Sequence, residues 1–576
     1  MNMTTDPITR EIVQNALSAA ADEMSLALYR TAYSTIVRDC LDYSTSLCSA
    51  EGQMIAQGVT IPLHIGAVPT AMEALFKRFG DDINDGDLFV MNDPFEGGMH
   101  IPDIFIVKPI FWEGQRVAFA VATAHHLDLG GRVPGSSACD NTDIYQDGFR
   151  IPWLKLYDRG VPNETFFSLF RANIRVPQMT VGDLRAQMAA CHIGERCIKE
   201  LVERYGLQTF RACCDDLIAH TERLIRSEIA SWPKGTYTFT DHMDSDGVGG
   251  PPVKFQLALT VHEDSLTFDF TGTSPQVRGS LNCTLSYTSA AVAICLRSVM
   301  SEPVANNAGI FRPLNVIAPL GTVINCVMPA ASSMRGVTGF RLVDTIFGAF
   351  AQLLPDRVFA AGEGGNTVVV IGGNRPDRSS YVYYELLTGT WGARPDRDGN
   401  DGLCSVSNIA SNVPIEEAES AYPVRIESYG LVRDTGGAGK FRGGLAVQRE
   451  WTLLEGNRAQ LSIRSDRRLH PPYGLFGGKP GSTSSNTLHH ADRDESLPTM
   501  ISTTIGIRET FSHQMPGGGG YGDPLQRLPA SVAWDVKNDK VSLEAARSQY
   551  GVVLDPATFV VDEQATSALR RQMHGK

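Results

Sequence analysis

Long apolar runs and an excess of positive charge are both absent from this sequence of 576 residues. No apolar run approaches the roughly 20 residues that a membrane-spanning helix needs, so no membrane association is expected. The net charge of -13 argues against a nucleic-acid partner, because phosphate binding requires a basic face. The first residues contain neither a basic region nor an apolar segment, which argues against a secretory signal and predicts a cytoplasmic protein.

Paired cysteine motifs are also absent, and the eleven cysteines are scattered along the chain. In a cytoplasmic protein such cysteines are expected to be reduced and mostly buried, rather than joined in disulfides or in a cysteine-rich zinc site. Cys139 stands apart because it follows a group of histidines. The sequence places no base beside it, so a buried thiol is favoured over a nucleophile.

Glycine clusters follow one another after residue 423, but none has the form of a nucleotide site. None is followed by Lys-Ser/Thr in the phosphate-loop register, and none is a GxGxxG motif that opens a helix after a strand. No cofactor-binding residue of this kind is therefore predicted. We interpret the clusters as tight turns between strands, with close approach to a ligand or partner as the alternative.

The stretch from residue 88 to residue 131 contains the residues that most clearly indicate a chemical function. Two apolar runs around a polar turn predict a hairpin over 104–124, and a hairpin brings its outer ends together. One end carries His100 and Asp103, and the other carries His125, His126 and Asp128. Imidazole nitrogen together with carboxylate oxygen suits manganese, ferrous iron or zinc. A metal site is therefore favoured, with a buried strand end held by hydrogen bonds as the alternative for His125-His126.

An earlier hairpin, predicted over 43–57, has two further candidates at its edges. Asp42 begins it and His64 follows it, so either residue could reach a site built by the later strands. Taken alone, each is more typical of a surface residue or of a hydrogen-bonded core residue.

The remaining periodicity predicts a fold that mixes helices and strands. Asp6 can cap a long first helix, Pro7 suits its first position, and apolar residues recur at helical spacing to near Ser34. A further hairpin is predicted over 254–270. Further helices are predicted at 182–195, from about 200 to 231, near 290–300 and at 341–353.

We therefore expect a mixed α+β (mixed α/β) fold, a large single chain of several lobes with β-rich middle and C-terminal regions. The predicted segments are a metal-binding catalytic lobe at 1–235, a β-rich region at 236–330, a mixed β and glycine-rich region at 331–524, and a polar C-terminal tail at 525–576.

Six motifs together resemble the hydantoinase B/oxoprolinase family, whose members are subunits of ATP-dependent hydantoinases, oxoprolinases and lactamases and are related to a subunit of ketone carboxylases. The motifs are NDPFEGGMHIPD at 92–103, AHHLDLGG at 124–131, DGFRIP at 147–152, GDLRAQ at 182–187, DTGGAGKFRGG at 434–444 and GGGGYGDP at 517–524. The sequence departs from the expected pattern at Asp147 and Thr435, where Glu and Ser would be expected, and both residues keep the polar character.

The resemblance implies one divalent metal ion (manganese, zinc or iron) held by His100, Asp103 and His125, with Asp42 as the fourth ligand. Asp42 gains this role from the resemblance and not from its own context. His126 and Asp128 are the candidates for proton transfer or for orienting the ligands.

The resemblance also implies a hydrolase of cyclic amides that is active only with a partner. A separate hydantoinase A-type subunit would bind ATP and phosphorylate the amide oxygen, in a hetero-oligomer such as a heterotetramer. This chain would then hydrolyse the activated hydantoin, oxoproline or lactam (caprolactam, for example) with a metal-activated water. The alternatives are a subunit of an acetone- or acetophenone-type carboxylase and a non-catalytic scaffold. The chain length favours the hydrolytic type, since the carboxylase relatives tend to carry insertions.

Overall fold

The computed structural model describes residues 5–64, 66–363, 367–456 and 458–574. The fold is mixed α+β, as predicted, with four β-sheets in the described part of the chain. The helices are α1 (Pro7–Thr31), α2 (Thr35–Arg38), α3 (Ala67–Phe79), α4 (Glu164–Asn173), α5 (Pro177–Tyr205), α6 (Leu207–Ala230), α7 (Leu285–Val299), α8 (Arg335–Leu353), α9 (Ile415–Ala421), α10 (Pro529–Lys537), α11 (Leu543–Tyr550) and α12 (Glu563–His574).

The strands divide between the two halves of the chain. The first eleven are β1 (Tyr43–Ser49), β2 (Met54–Gln57), β3 (Leu88–Met91), β4 (Asp103–Trp112), β5 (Gln115–His125), β6 (Leu154–Asp158), β7 (Val161–Pro162), β8 (Gly235–Met243), β9 (Val253–Val261), β10 (Leu266–Asp269) and β11 (Leu314–Ile317). The others are β12 (Thr367–Asn374), β13 (Ser380–Leu387), β14 (Val424–Val432), β15 (Ala446–Leu453), β16 (Arg458–Arg464), β17 (Ser485–His489), β18 (Asp494–Leu497), β19 (Met500–Gly506) and β20 (Thr510–Gln514).

The first helix and the predicted hairpins form where the sequence places them. The Asp6 carboxylate accepts the backbone N–H of Thr9 at 2.9 Å, and Pro7 is the first residue of α1. One helix boundary differs from the expectation of a single helix from about 200 to 231. Gly206 adopts φ +80 and separates α5 from α6, because a left-handed residue ends the helical hydrogen-bonding pattern.

The site is built on the first sheet, which is antiparallel and has the order β2-β1-β5-β4-β3-β6-β7. Its central strands β4 and β5 are buried on both faces, because α1 and α5 cover one face while α3 and α7 cover the other. Residues such as Ile104 and Ala122 point to the first face, and Phe105 and Val121 to the second. This alternation decides which side chains at the strand ends can meet.

The other three sheets surround this sheet and complete its cores. The second has the order β11-β10-β9-β8, with β10 and β11 parallel, and α8 packs on it. Strand β9 alternates buried and half-buried residues, as expected of a strand with one face on the core. The third sheet (β13-β12-β16-β19) contributes to the core on the α1 and α5 side of the first sheet, as does the fourth (β14-β15-β20-β17-β18).

The glycine clusters correct the prediction of tight turns. Most of their residues lie outside turns and strands, in segments that are hydrogen-bonded to one another, as where the Gly437 N–H donates to the Gly518 carbonyl at 2.8 Å. A Cβ atom on Gly443 would lie 1.9 Å from the Gly518 carbonyl oxygen, so no other residue fits there. At most of these positions glycine serves the close approach of main chain to main chain, while the cluster that begins at Gly477 (φ +97) does make a turn, in which the Gly478 N–H donates to the Leu475 carbonyl at 2.9 Å.

The segment after residue 524 forms α10, α11 and α12, in keeping with its helix-compatible pattern. Val532, Ala546 and Tyr550 form a small core there, and Ala438 of a glycine cluster joins it. None of the helices in the described residues is both long and apolar enough to cross a membrane.

Candidate functional site

The hairpin of β4 and β5 brings together the residues that were predicted from the sequence to bind a metal ion. Asp103 and His125 are direct partners in the antiparallel register. The backbone N–H of Asp103 donates to the His100 carbonyl at 3.1 Å, and that of His125 donates to the Asp42 carbonyl at 3.0 Å. The predicted ligands Asp42, His100, Asp103 and His125 therefore lie on three adjoining segments that main-chain hydrogen bonds hold in place.

His64 joins this group from the short 3-10 helix Pro62–His64. Its Nε2 lies 3.6 Å from Oδ1 of Asp42, and its Nδ1 is hydrogen-bonded to the Ser44 hydroxyl at 2.9 Å. From the sequence, His64 could have been a site residue, a surface residue or a hydrogen-bonded core residue. The structure places it among the site residues.

These side chains meet at a buried cavity of about 20 Å³, which has room for little more than a water molecule. Its polar walls include Asp42, His64, His100, His125, Tyr384, Arg335 and Arg464, together with Tyr287, Ser407 and Asn408. The His100 and His125 rings lie 5.1 Å apart, and the Tyr384 hydroxyl lies 3.4 Å from Nε2 of His125. The arrangement is compact and almost without contact with solvent.

Asp103 lies directly behind this wall and is completely buried. Its Oδ2 lies 2.8 Å from Nδ1 of His100 and is paired with Arg335, while its Oδ1 has no hydrogen-bond partner. Burial alone would raise the pKa of Asp103, but His100 and Arg335 outweigh it and hold that pKa well below its ordinary value. Asp103 is therefore an ionised carboxylate with one oxygen available.

Burial also fixes the charge state of the imidazoles. It lowers the pKa of His64 and of His100 to about 4, with Arg335 adding to the effect at His100, and it holds the pKa of His125 well below its ordinary value. All three rings are neutral at neutral pH, so each has a lone pair that can bind a cation. Burial and the nearby charge of Asp103 raise the pKa of Asp42 to about 7.

The chemistry of this donor set fits a divalent ion, although its arrangement is not a finished coordination shell. In the described ranges, no three His, Cys, Asp or Glu side chains are placed so that they could hold a metal as they stand. Neutral imidazoles, two carboxylates and the unpartnered Oδ1 of Asp103 and Nδ1 of His125 are nevertheless the atoms that manganese, iron or zinc would take.

Cys139 adds no thiolate to this set. Its Sγ–H donates to the Ile463 carbonyl at 2.8 Å, and burial raises the pKa of its thiol to about 12. A protonated, hydrogen-bonded thiol is neither a nucleophile nor a ligand, in agreement with the expectation of a buried structural cysteine.

The structure does not place His126 and Asp128 at the cavity. His126 points to the opposite face of the sheet, where its Nε2 is hydrogen-bonded to Gln187 of α5 at 2.9 Å. Asp128 accepts hydrogen bonds from the backbone N–H groups of Gly135 and Arg175 and from the Arg175 guanidinium, at 2.9 to 3.0 Å. These contacts hold the loop that follows β5.

Three residues at the cavity were missed by the sequence reasoning. Tyr384 belongs to β13, Arg464 ends β16 and Arg335 begins α8, some 232 residues from its partner Asp103. No local spacing could have found them. The turn before Arg335 is held by Asp147, which accepts the backbone N–H of Ser332 at 2.8 Å, and this explains one motif residue.

Fold and site together define a mixed α+β protein with a buried histidine and carboxylate cavity at the end of its central sheet. The family model described as hydantoinase B/oxoprolinase matches residues 6–524. The chain belongs to this family, as its motifs indicated.

Two relatives that match over their full length are named as subunits. The chain is 33% identical to a putative D-/L-hydantoinase B-type subunit of Pseudomonas sp. (strain NS671), covering 98% of both chains. It is 34% identical to the caprolactamase beta-type subunit of Pseudomonas jessenii, covering 98% of this chain and 99% of that one. It is also 30% identical to 5-oxoprolinase 1 of Arabidopsis thaliana, of which it spans only 42%.

Solved structures share the fold. The crystal structure of the ATP-dependent caprolactamase from Pseudomonas jessenii matches with a TM-score of 0.93 and 33% identity, covering 99% of this chain and 100% of that chain. A nucleotide-free acetone carboxylase structure matches with a TM-score of 0.92 at 20% identity, covering 83% of that chain. The second likeness is one of fold alone.

Proposed function

We propose that this chain is the metal-binding subunit of an ATP-dependent hydrolase of cyclic amides such as hydantoin, 5-oxoproline or caprolactam. The observation that carries the proposal is the meeting of neutral imidazoles and carboxylates at one buried cavity. The names of the relatives that match over their whole length supply the substrate class.

A partner protein follows from the same comparison. An amide resists attack by water, and phosphorylation of its oxygen by ATP would supply a leaving group. None of the glycine clusters in this chain has the form of a phosphate loop that could bind that ATP. The chain spans 42% of a plant 5-oxoprolinase, so the rest of that enzyme corresponds to something outside this chain. We propose that it corresponds to a hydantoinase A-type subunit that binds ATP.

The site residues divide between binding and orientation. Asp42, His100, Asp103 and His125 would hold the divalent ion, which supplies Lewis acidity and an activated water when bound. His64 holds Asp42 in place, and the Tyr384 hydroxyl, 3.4 Å from Nε2 of His125, is a phenolic proton donor at the cavity wall. His126 and Asp128 keep the strand ends and the following loop in position, so of their two proposed roles their contacts favour orientation over proton transfer.

The test combines the chain with its ATP-binding partner and measures ATP consumption and ring opening. Hydantoin, 5-oxoproline and caprolactam are offered in turn, and acetone with bicarbonate tests the carboxylase alternative. We expect ring opening that needs the partner, ATP and a divalent ion. His100→Ala should lower turnover by about a hundredfold or more, because it removes a proposed ligand.

The matched control is His262→Ala, since His262 is an exposed residue of the β9–β10 hairpin. It should leave turnover unchanged. A His100→Ala variant that binds no metal and yet keeps full turnover would make the chain a scaffold. Ring opening by the chain alone would contradict the proposed need for a partner.

A further inference from the structure

Two buried guanidinium groups, from Arg335 and Arg464, line the same cavity as the imidazoles. Arg335 is paired with Asp103, and its guanidinium lies over the Tyr287 ring, 4.1 Å from the centroid. Arg464 lies against the first turn of α8, where a Cβ atom on Gly336 would be 3.1 Å from its Nη1. The cavity therefore has anion-binding groups as well as cation-binding groups.

The charges around the cavity balance without any bound species. As carboxylates Asp42 and Asp103 count for two negative charges, as guanidiniums Arg335 and Arg464 count for two positive charges, and a histidine binds a metal ion as a neutral ligand. A divalent cation among these residues leaves a net charge of +2. A phosphoryl dianion is the ligand class that restores neutrality, and a charge left uncompensated in a buried cavity is costly.

We propose that Arg335 and Arg464 bind the phosphoryl group of the activated substrate in this cavity. The inference rests on the proposed function and names the substrate class of that site, an O-phosphorylated cyclic amide that still carries its phosphate when it arrives. A guanidinium presents a planar fork of donors that matches two phosphate oxygens. The N-terminal end of α8, to which Arg335 belongs, adds favourable dipoles.

Arg335 then has two alternative partners. In the structure its guanidinium is paired with Asp103, a proposed metal ligand, and the cavity of about 20 Å³ is too small for a phosphoryl group. A cation on Asp103 competes with the guanidinium for the charge of that carboxylate. Release of Arg335 from Asp103 frees its donors for the phosphoryl group and enlarges the cavity in the same movement.

This exchange predicts two effects of opposite sign in one variant. Arg335→Gln removes a cation that competes for Asp103, so the affinity of the full chain for Mn²⁺ should rise by about tenfold. The same variant should bind inorganic phosphate about ten- to a hundredfold more weakly in the presence of Mn²⁺, because a charged hydrogen-bond donor is lost. The Mn²⁺ affinity and the phosphate affinity of Arg335→Lys should both lie between those of the unaltered chain and those of Arg335→Gln.

The measurements are chelator competition for Mn²⁺ and calorimetric titration with inorganic phosphate, both on the full chain. Arg464→Gln should weaken phosphate binding in the same way. The matched control is Arg449→Gln. Arg449 is buried and paired with Glu385 at 2.8 Å, and neither residue lines the cavity, so this variant should change neither the Mn²⁺ affinity nor the phosphate affinity. A merely structural role for Arg335 would lower both affinities together.

Two results would overturn the inference. One is phosphate binding by Arg335→Gln or Arg335→Lys that equals the unaltered chain, and the other is no phosphate binding by the unaltered chain with Mn²⁺. Neither result touches the proposed function, which is measured separately as metal-dependent ring opening with the partner. Loss of Mn²⁺ binding by His100→Ala without loss of ring opening would instead overturn that function.

Discussion

Two of the buried groups of charged side chains in the described residues share one helix and differ in character: one lies at the ends of β4 and β5, and the other lies where α8 meets the loop after β16. The cavity cluster consists of Asp42, His64, His100, Asp103, His125 and Arg335. The α8 cluster consists of Asp241, Arg341, Asp344, Asp466 and Arg467. Helix α8 contributes to both, through Arg335 to the first and through Arg341 and Asp344 to the second.

The two clusters differ in the atoms that lack a partner. In the α8 cluster each of the three carboxylates is held by a guanidinium, with Arg467 Nη2 2.6 Å from Asp344 Oδ2, and the unpartnered atoms are the Nε donors of Arg341 and Arg467. In the cavity cluster the unpartnered atoms include Oδ1 of Asp103 and Nδ1 of His125, each of which can accept a hydrogen bond or bind a cation. Burial of charge is common to both, and available lone pairs around a cavity mark the candidate site.

Loss of a guanidinium from the α8 cluster should have the largest effect on stability. Arg341→Met leaves Asp466 buried without its cation, and we expect the free energy of unfolding to fall by about 3–5 kcal/mol. Urea unfolding measures this change. The control Arg433→Met breaks an exposed pair with Asp539 and should cost less than about 1 kcal/mol. Loss of Mn²⁺ binding by folded Arg341→Met would show that the two clusters are not separate.

The same chemical change, made once in each cluster, separates their roles. Asp103→Asn removes a proposed ligand and should lower Mn²⁺ affinity by about a hundredfold or more. Residues that only support the ligands typically cost about ten- to a hundredfold when they are changed. Asp344→Asn should leave Mn²⁺ affinity unchanged. Chelator competition on both variants gives the answer, and equal losses in the two would mean that the comparison is wrong.

The α8 cluster should also make stability depend on pH, with a smaller effect. Burial raises the pKa of Asp344 to about 8 and that of Asp466 to about 7, from an ordinary value of 3.8. Because the folded state binds these protons more tightly than the unfolded chain, this stabilisation is complete below the ordinary value and is lost as the pH rises through 7 and 8. We expect unfolding at pH 9 to require about 2 kcal/mol less than at pH 7.

Two comparisons test this sign. The neutral buried imidazoles act in the opposite direction only below about pH 6.5, outside the window of pH 7 to 9. Asp344→Asn should flatten the dependence within that window. Stability that rises between pH 7 and pH 9 would contradict the account of the cluster.

The sequence was sufficient for the elements that carry local signals. The cap at Asp6, the hairpin that brings the Asp103 end of β4 close to the His125 end of β5, and the turn between β1 and β2 all follow from periodicity and turn residues. The direction of His126 also follows from the sequence, because neighbours along a strand point to opposite faces. If His125 faces the cavity, His126 must face α5.

The rest of the site depends on contacts that no local pattern contains. Arg335 reaches Asp103 only because α7 and α8 pack together on the side of the first sheet that Asp103 faces. Tyr384 arrives from β13 of a different sheet. The glycine segments were misinterpreted for the same reason, since a residue such as Gly443 is required by a neighbour 75 positions away, Gly518.

The central claim is that the cavity cluster binds one divalent ion. The most direct measurement is a crystal structure of the full chain loaded with Mn²⁺, with the ion located by its anomalous scattering. We expect one ion per chain, in contact with Asp42, His100, Asp103 and His125 and with Arg335 withdrawn from Asp103. A saturated chain with no ion in this cavity, or with its ion bound elsewhere, would contradict the account.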